Sequence, residues 1–235
     1  ERTFFVEIPK IPVNVCAMEQ QDGSLENLLE HYLRDEYIII KNKIQYQIEK
    51  IVDEYHTLQD TGSLTEEAQK EIDQRLLSQY YFSKWRYRVF IKKMEREWAS
   101  YLFQIIFALA VAQKHYNFTH NDLHSNNIMY KETKAKYLYY KFKGQYFKIP
   151  TYGKIMKIID FGRAIYTVNG RRYFSDAFKY EAEAGEQYTY PSEDFMRNPV
   201  VHPNPSFDLC RLATSMIDDL YPFPPSTTNS KRKPK

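Results

Sequence analysis

Two stretches constrain this chain more than any others. Residues 118–127, Phe-Thr-His-Asn-Asp-Leu-His-Ser-Asn-Asn, set His120, Asp122 and Asn127 in a His-x-Asp-x-x-x-x-Asn spacing. Further on, Asp160-Phe161-Gly162 closes the run Lys157-Ile158-Ile159, which is how a buried strand ending in a polar loop reads. Taken singly, Asp122 and Asn127 fit a turn and Asp160 fits a plain strand-to-turn exit, because Asp and Asn hydrogen-bond to nearby backbone there. Taken in order, they supply two carboxylates and an amide, oxygen donors suited to Mg²⁺.

The rest of the chain arranges itself around these loops. Residues 3–7 and 13–18 read as short strands separated by Pro9 and Pro12. Ser24 is a good N-cap for a helix whose Leu25, Leu28, Leu29, Tyr32 and Leu33 share one face. Ile44, Ile48, Ile51, Val52 and Tyr55 repeat the helical spacing until Gln59 to Gly62 breaks it. Ser63 with Glu66 then carries a capping-box signature for a third helix through Leu76 and Leu77. Residues 36–90 thus read as a helical insertion whose Lys and Glu residues form a solvated face.

Met94, Trp98, Leu102, Ile105, Leu109 and Ala112 predict the next helix; its second half is apolar nearly all round, so it belongs at the centre of a domain. After the first loop, Ile128-Met129-Tyr130 predicts a strand. Tyr137–Lys141 and Tyr146–Ile149 predict a hairpin around Gly144. Residues 163–205 are polar and punctuated by Pro and Gly, Ser206 to Leu212 opens another helix, and 222–235 read as a basic tail or linker.

Composition narrows the function classes. A 43% hydrophobic content is ample for a core, and 33 basic against 30 acidic residues are too balanced for a nucleic-acid protein. Cys16 and Cys210 are the only cysteines, so no disulfide framework is expected and a reducing compartment is the default. The apolar run from Tyr101 to Ala112, interrupted by Gln104, is too short to span a bilayer.

Together the two motifs resemble the catalytic loop and the Asp-Phe-Gly motif of the protein kinase superfamily. Thr-His-Asn-Asp-Leu-His-Ser-Asn-Asn-Ile, the Tyr-rich hairpin and Lys-Ile-Ile-Asp-Phe-Gly-Arg-Ala look most similar to the divergent serine/threonine kinases of large cytoplasmic DNA viruses, of the iridovirus and poxvirus virion-kinase type. Haspin-like kinases are a more distant resemblance. The likeness covers residues 10–30 and 94–220. It implies an α+β, protein-kinase-like fold: mainly the helical C-terminal lobe with a hinge and a β-hairpin, the N-terminal lobe largely absent. On that division, 1–23 hold remnant strands and the hinge, 24–221 the lobe with its insertion near 36–90, and 222–235 the tail.

The resemblance also implies ATP and Mg²⁺ as cofactors and transfer of the γ-phosphate to a protein serine or threonine. Such transfer is mainly positioning and charge neutralisation, which is why it needs carboxylates and amides rather than a covalent nucleophile. By likeness, Asp122 would accept or orient the hydroxyl proton, while Asn127 and Asp160 would ligate Mg²⁺. His124 stands where most protein kinases carry a phosphate-holding Lys. Met18 would be the gatekeeper, backbone groups of Glu19 and Gln21 would pair with adenine, and Met129 would floor the pocket; a strand running into a polar turn is the plainer reading of 18–26. His120 would pack beneath Phe161. Asp208 would tie the catalytic loop to the following helix, or else be an ordinary first-turn acid favoured by the helix dipole. Expected partners are a protein substrate and virion or capsid proteins, in the virion or host cytoplasm, with no nucleic acid and no membrane span.

The chain departs from the family in places. Asn121 replaces the usual Arg before the catalytic Asp, His124 replaces the Lys after it, and Pro191-Ser192-Glu193 is only a loose echo of the Ala-Pro-Glu that closes an activation segment. No glycines stand in a Gly-x-Gly-x-x-Gly spacing, and the Lys–Glu pair of the small lobe has no counterpart. Two other readings follow: a virion scaffold protein with a kinase-like fold and little activity, and a small-molecule kinase of the choline or aminoglycoside type, against which Gly162 counts. Since the chain starts at Glu1 without Met, it is expected to be a piece of a longer protein and to be catalytically silent alone.

Overall fold

Ser24 caps the first helix as predicted. Its Oγ accepts from Asn27 N at 3.1 Å, while Asn27 Oδ1 accepts from Ser24 N at 3.0 Å, so two otherwise unpaired donors are satisfied reciprocally. This is a computed structural model, and it describes residues 18–179, 181–185, 187 and 201–220. The expected strands at 3–7 and 13–18, Cys16, the Pro191-Ser192-Glu193 echo and the tail at 222–235 lie outside the described residues, Met18 excepted.

Helix α1 (Leu25–Glu30) runs through a π-helical segment, His31–Glu36, into α2 (Tyr37–Asp60). A turn with Gly62 at φ +65° leads to α3 (Glu66–Tyr116). The predicted cap at Ser63 is corrected: Thr65 is the N-cap, its Oγ1 accepting from Ala68 N at 3.1 Å, and Glu66 is the first helical residue. The two helices predicted to end near Leu77 and to begin near Met94 are one helix of 51 residues. No Gly or Pro occurs between 66 and 116, so nothing in the backbone stops it. The ion pairs Lys93–Glu36 (2.7 Å) and Arg75–Glu54 (2.8 Å) occur in opposite order on the two helices, which makes α2 and the first part of α3 an antiparallel hairpin.

The C-terminal part of α3 does lie in the core. Trp98, Tyr101, Ile105 and Leu109 are buried with Leu25, Leu28 and Leu29 of α1, each large side chain contributing about 1.5–3 kcal/mol of burial. Gln104, the polar interruption in the apolar run, is buried there too. Its Oε1 accepts from Met156 N at 2.9 Å and its Nε2 donates to Lys154 O at 3.3 Å. The helix thereby grips a strand edge with the one side chain that breaks its hydrophobicity.

That strand is β5 (Lys154–Ile158), antiparallel to β2 (Ile128–Glu132), which in turn pairs with the two-residue β1 (Gly23–Ser24). The hairpin β3 (Tyr137–Phe142) and β4 (Gln145–Pro150) turns through Lys143 and Gly144, both at positive φ, the geometry that matches strand twist in a two-residue turn. Its Tyr140, Phe142 and Phe147 pack their rings on Phe103 and Phe107 of α3, which docks the hairpin to the core helix. A second hairpin joins β6 (Tyr166–Val168) to β7 (Arg171–Tyr173), and α4 (Phe207–Leu220) is the last described element. A smaller core of Ile165, Phe178, Ala184 and Val201 lies under the segment after Gly162. The fold is thus mixed α and β. Among the described residues no helix is long and apolar enough to cross a membrane.

Candidate active site

The loop carrying Asp122 begins where α3 ends, at Asn117 in the left-handed conformation (φ 46°). Thr119 then pairs with Ile165 through N–H to O bonds of 2.9 and 2.8 Å, joining the loop to the segment after Gly162. The next two backbone amides point into the protein. His120 N and Asn121 N donate to the two carboxylate oxygens of Asp208, at 2.8 and 2.9 Å. Asp208 is wholly buried in the first turn of α4, so it is both a first-turn acid and the tie between helix and loop. Burial pushes its carboxyl above the ordinary aspartate range, against the opposing pull of the two amide bonds.

His120 is buried and shares its two nitrogens. Asp122 N donates to Nδ1 at 3.3 Å, and Nε2 lies 2.8 Å from Ile159 O. The first bond requires a bare Nδ1, so Nε2 carries the proton and donates to the carbonyl. The ring also lies against Phe161, centroids 5.5 Å apart, as the sequence implied. One imidazole therefore connects the Asp122 loop to the strand end before Asp160.

Asn127 completes the link. Its Nδ2 donates to Asp122 O at 2.9 Å, and its carbonyl accepts from Ile159 N at 3.0 Å. Its Oδ1 accepts no hydrogen bond among the described residues. Asp160 is exposed, with φ 61° and its Oδ1 accepting from Gly162 N at 3.3 Å. A positive φ on a non-glycine residue is uncommon, and Asp is one of the types that tolerate it. Among the described residues no cluster of three or more His, Cys, Asp or Glu could enclose a metal. The donor types, one amide oxygen and one carboxylate, nevertheless suit Mg²⁺, which keeps several waters and takes phosphate oxygens as its other ligands.

Asp122 itself is one-fifth exposed, with two guanidinium groups and an imidazole close by. Arg163 Nη1 lies 3.5 Å and Arg211 Nη2 4.0 Å from Oδ1, while His124 Nε2 lies 3.9 Å from Oδ2. Arg163 also pairs with Glu183, a bond that raises the guanidinium above its ordinary range, helped by the charges of Asp122 and Asp160. Asn121 Nδ2 donates to Arg163 O at 2.9 Å, and Gln187 Nε2 donates to Asn121 Oδ1 at 3.2 Å. Arg163, Arg211 and Glu183 were not among the predicted site residues. Arg163 directly follows Asp-Phe-Gly and was open to notice; the other two reach the site only through tertiary contacts.

The expected hinge lies along β2. Asp22 N donates to Tyr130 O at 3.0 Å, and the Asp22 carboxylate accepts from Glu132 N at 2.7 Å, which holds that carboxyl below its usual range. Lys131 Nζ donates to Gln20 O at 3.1 Å, and Gln21 Nε2 donates to Glu19 O at 2.9 Å. Glu19 pairs with Lys157 of β5, which lowers its carboxyl chiefly through that hydrogen bond. Met129 sits opposite Ser24 in the ladder and is partly buried. Met18 is 80% exposed. The segment thus crosses the sheet, Glu19 reaching β5 and Gln20 and Asp22 reaching the central strand β2 that carries Met129, while Met18 is left on the surface.

No family model matches the chain. Over part of its length it is similar to several named proteins. It is 36% identical to a serine/threonine-protein kinase haspin homolog of Drosophila melanogaster over 97 residues, 40% of this chain and 17% of that protein. It is 44% identical to the serine/threonine-protein kinase haspin of Bos taurus over 62 residues, 26% of this chain and 8% of that protein. A protein of Acanthamoeba polyphaga mimivirus named "Putative serine/threonine-protein kinase" is 35% identical over 113 residues, 46% of this chain and 26% of that protein. The chain thus spans a minor share of each relative's length. Each of these partial similarities is to a protein named as a serine/threonine-protein kinase, the mimivirus protein under the qualifier its name carries.

Proposed function

We propose that this chain carries the metal-binding and hydroxyl-orienting part of an ATP-dependent protein serine/threonine kinase, of the divergent type found in large cytoplasmic DNA viruses. One observation supports this most: Asp122, Asn127 and the approach to Asp160 are tied to one another by Asn127 and His120, while Asp208 fixes the loop from behind. Phosphoryl transfer depends on such fixed placement of a few polar groups.

In this reading Asp122 orients the acceptor hydroxyl and takes its proton as the new O–P bond forms, while the bond from the γ-phosphorus to the bridging oxygen breaks and ADP leaves. Arg163 and Arg211 lie toward one carboxylate oxygen of Asp122, which leaves the other to the acceptor hydroxyl. His124 stands beside that second oxygen, where it lends positive charge when protonated. Asn127 Oδ1 and the Asp160 carboxylate are the groups that would hold Mg²⁺, whose role when bound is to neutralise phosphate charge. Backbone groups of Glu19 and Gln21 would pair with adenine, and Met129 of β2 would floor its pocket.

The test is transfer from radiolabelled ATP to protein acceptors by the full-length protein, followed by hydrolysis and identification of the labelled amino acid. Label on serine or threonine is expected, falling about 10²–10⁴-fold in Asp122→Asn, the range for loss of a positioned acid–base group. Label found only on a small alcohol substrate would favour a small-molecule kinase instead.

A further inference from the structure

The α2–α3 hairpin takes no part in the site, and its outer surface is unusual. Toward α2, α3 buries Ile72 and Phe90, with Tyr37 of α2 against Phe90, and its cations Arg75 and Lys93 pair with Glu54 and Glu36. A second row lies one residue further round the helix: Leu77, Tyr80, Lys84, Tyr87 and Ile91. Its steps alternate between three and four, the spacing that presents one continuous seam to another helix. Leu77, Tyr80 and Ile91 are 54%, 55% and 45% exposed, while Tyr87 is half-buried, one side of its ring against Tyr37 of α2 with centroids 5.7 Å apart. A shallow groove of about 610 Å³ runs along this face, bordered by Tyr80, Lys84, Tyr87, Arg88, Ile91 and Lys92 among others.

The charge on this face is not neutralised. Lys84, Arg88 and Lys92 have no carboxylate within 4.0 Å among the described residues, although the cations facing α2 do. Lys84 lies 6.0 Å from the centre of the Tyr80 ring. Three unpaired cations beside an open apolar seam call for an occupant with acids flanking its own apolar stripe. A second copy of this chain would bring like charges together. Tyr81, Phe82, Trp85 and Val89 are exposed on the same helix, but Lys84, Arg88 and Lys92 divide them from the seam, and a lipid surface is one outcome of the test below. Nucleic acid carries negative charge but no apolar stripe to fill a seam of Leu77, Tyr80 and Ile91, and duplex binding is another outcome of that test.

We infer that this seam docks an acidic amphipathic helix of a partner protein, packed along Leu77, Tyr80, Tyr87 and Ile91 with its carboxylates against Lys84, Arg88 and Lys92. The hairpin is then a recognition arm, separate from the chemistry at Asp122, and this inference stands independently of the kinase reading. Helix-in-groove docking reads anchors at this spacing, and exposed charges set its salt dependence.

The test measures binding by the full-length protein of a labelled three-heptad peptide with Leu at the a and d positions and Glu at e and g, by fluorescence anisotropy. Two control peptides carry Lys in place of Glu, or a central Pro that breaks the helix. The acidic peptide is expected to bind about tenfold or more tightly than either control, about 1.4 kcal/mol. The triple variant K84E/R88E/K92E, checked for unchanged helicity by circular dichroism, should lose that preference, and added salt should weaken it. Equal binding of the Lys or Pro peptide, or no binding of the acidic one, would overturn the inference. So would binding of duplex DNA or anionic vesicles that the triple variant abolishes, or self-association through this face seen in sedimentation.

Discussion

Asp208 offers the sharpest test of how the site is built. Its carboxylate is wholly buried and accepts two backbone amides, at 2.8 and 2.9 Å. Asp208→Ala leaves both donors buried without partners, at about 1–3 kcal/mol each, or roughly 2–6 kcal/mol together. The lower half of that range is expected, because removal also relieves the burial of a carboxylate. Asp208→Asn keeps one acceptor and should cost about 1–3 kcal/mol.

For a chain of this size these losses lower Tm by about 2–4 °C per kcal/mol. The pH dependence has a definite sign. A carboxyl whose folded pKa is raised contributes most below its unfolded pKa and loses that contribution as pH rises through the window up to the folded value. The stability gap between wild type and Asp208→Asn should therefore narrow as pH climbs from about 4. Denaturant unfolding gives the energies, and hydrogen exchange at the amides of His120 and Asn121 gives the mechanism: both should be protected in the wild type and lose protection in the Ala variant. A variant within about 0.5 kcal/mol of wild type, with both amides still protected, would refute the tie.

Three further outcomes follow. Gly185→Ala places a Cβ 2.6 Å from the carbonyl oxygen of Lys179, so it should destabilise by about 1–3 kcal/mol; an unchanged denaturation midpoint would contradict the packing described. Glu183→Gln removes one of the two acids on Arg163 and should lower kcat by about two- to fivefold with KM little altered, the scale of a half-exposed ion pair; steady-state kinetics decides. Because Asn121 carries no charge to receive a phosphate and Arg163 already engages Glu183, phosphatase treatment should leave activity intact. Silencing that is reversed by rephosphorylation between Arg163 and Asn204 would oppose this.

The parts of the site that chemistry spaces along the chain were legible, and those that tertiary packing assembles were not. His120, Asp122, Asn127 and Asp160 stood out because each occupies a fixed place in a short motif. The hairpin around Gly144 was legible for the same reason, a turn that demands positive φ. The helix boundaries misled because Ser63 and Thr65 are equally capable caps, and only the backbone path selects Thr65. The unbroken α3 was hidden by a change of face near Leu77, where apolar residues begin to serve two seams instead of one. The π-helical turn at His31–Glu36 has no marker in composition. Arg211 and Glu183 reach the site from 89 and 61 positions beyond Asp122, distances over which local pattern says nothing.

The central claim is that Asp122, Asn127 and Asp160 form one site for Mg²⁺-dependent phosphoryl transfer. Its most direct test is transfer from radiolabelled ATP by the full-length protein, wild type against Asp160→Asn, with circular dichroism to show that both are folded. Asp160 is exposed and its carboxylate accepts one hydrogen bond among the described residues, from Gly162 N, so the fold should be unaffected while transfer is lost, as removal of a metal-holding carboxylate requires. Equal transfer rates in the two folded proteins would contradict the account.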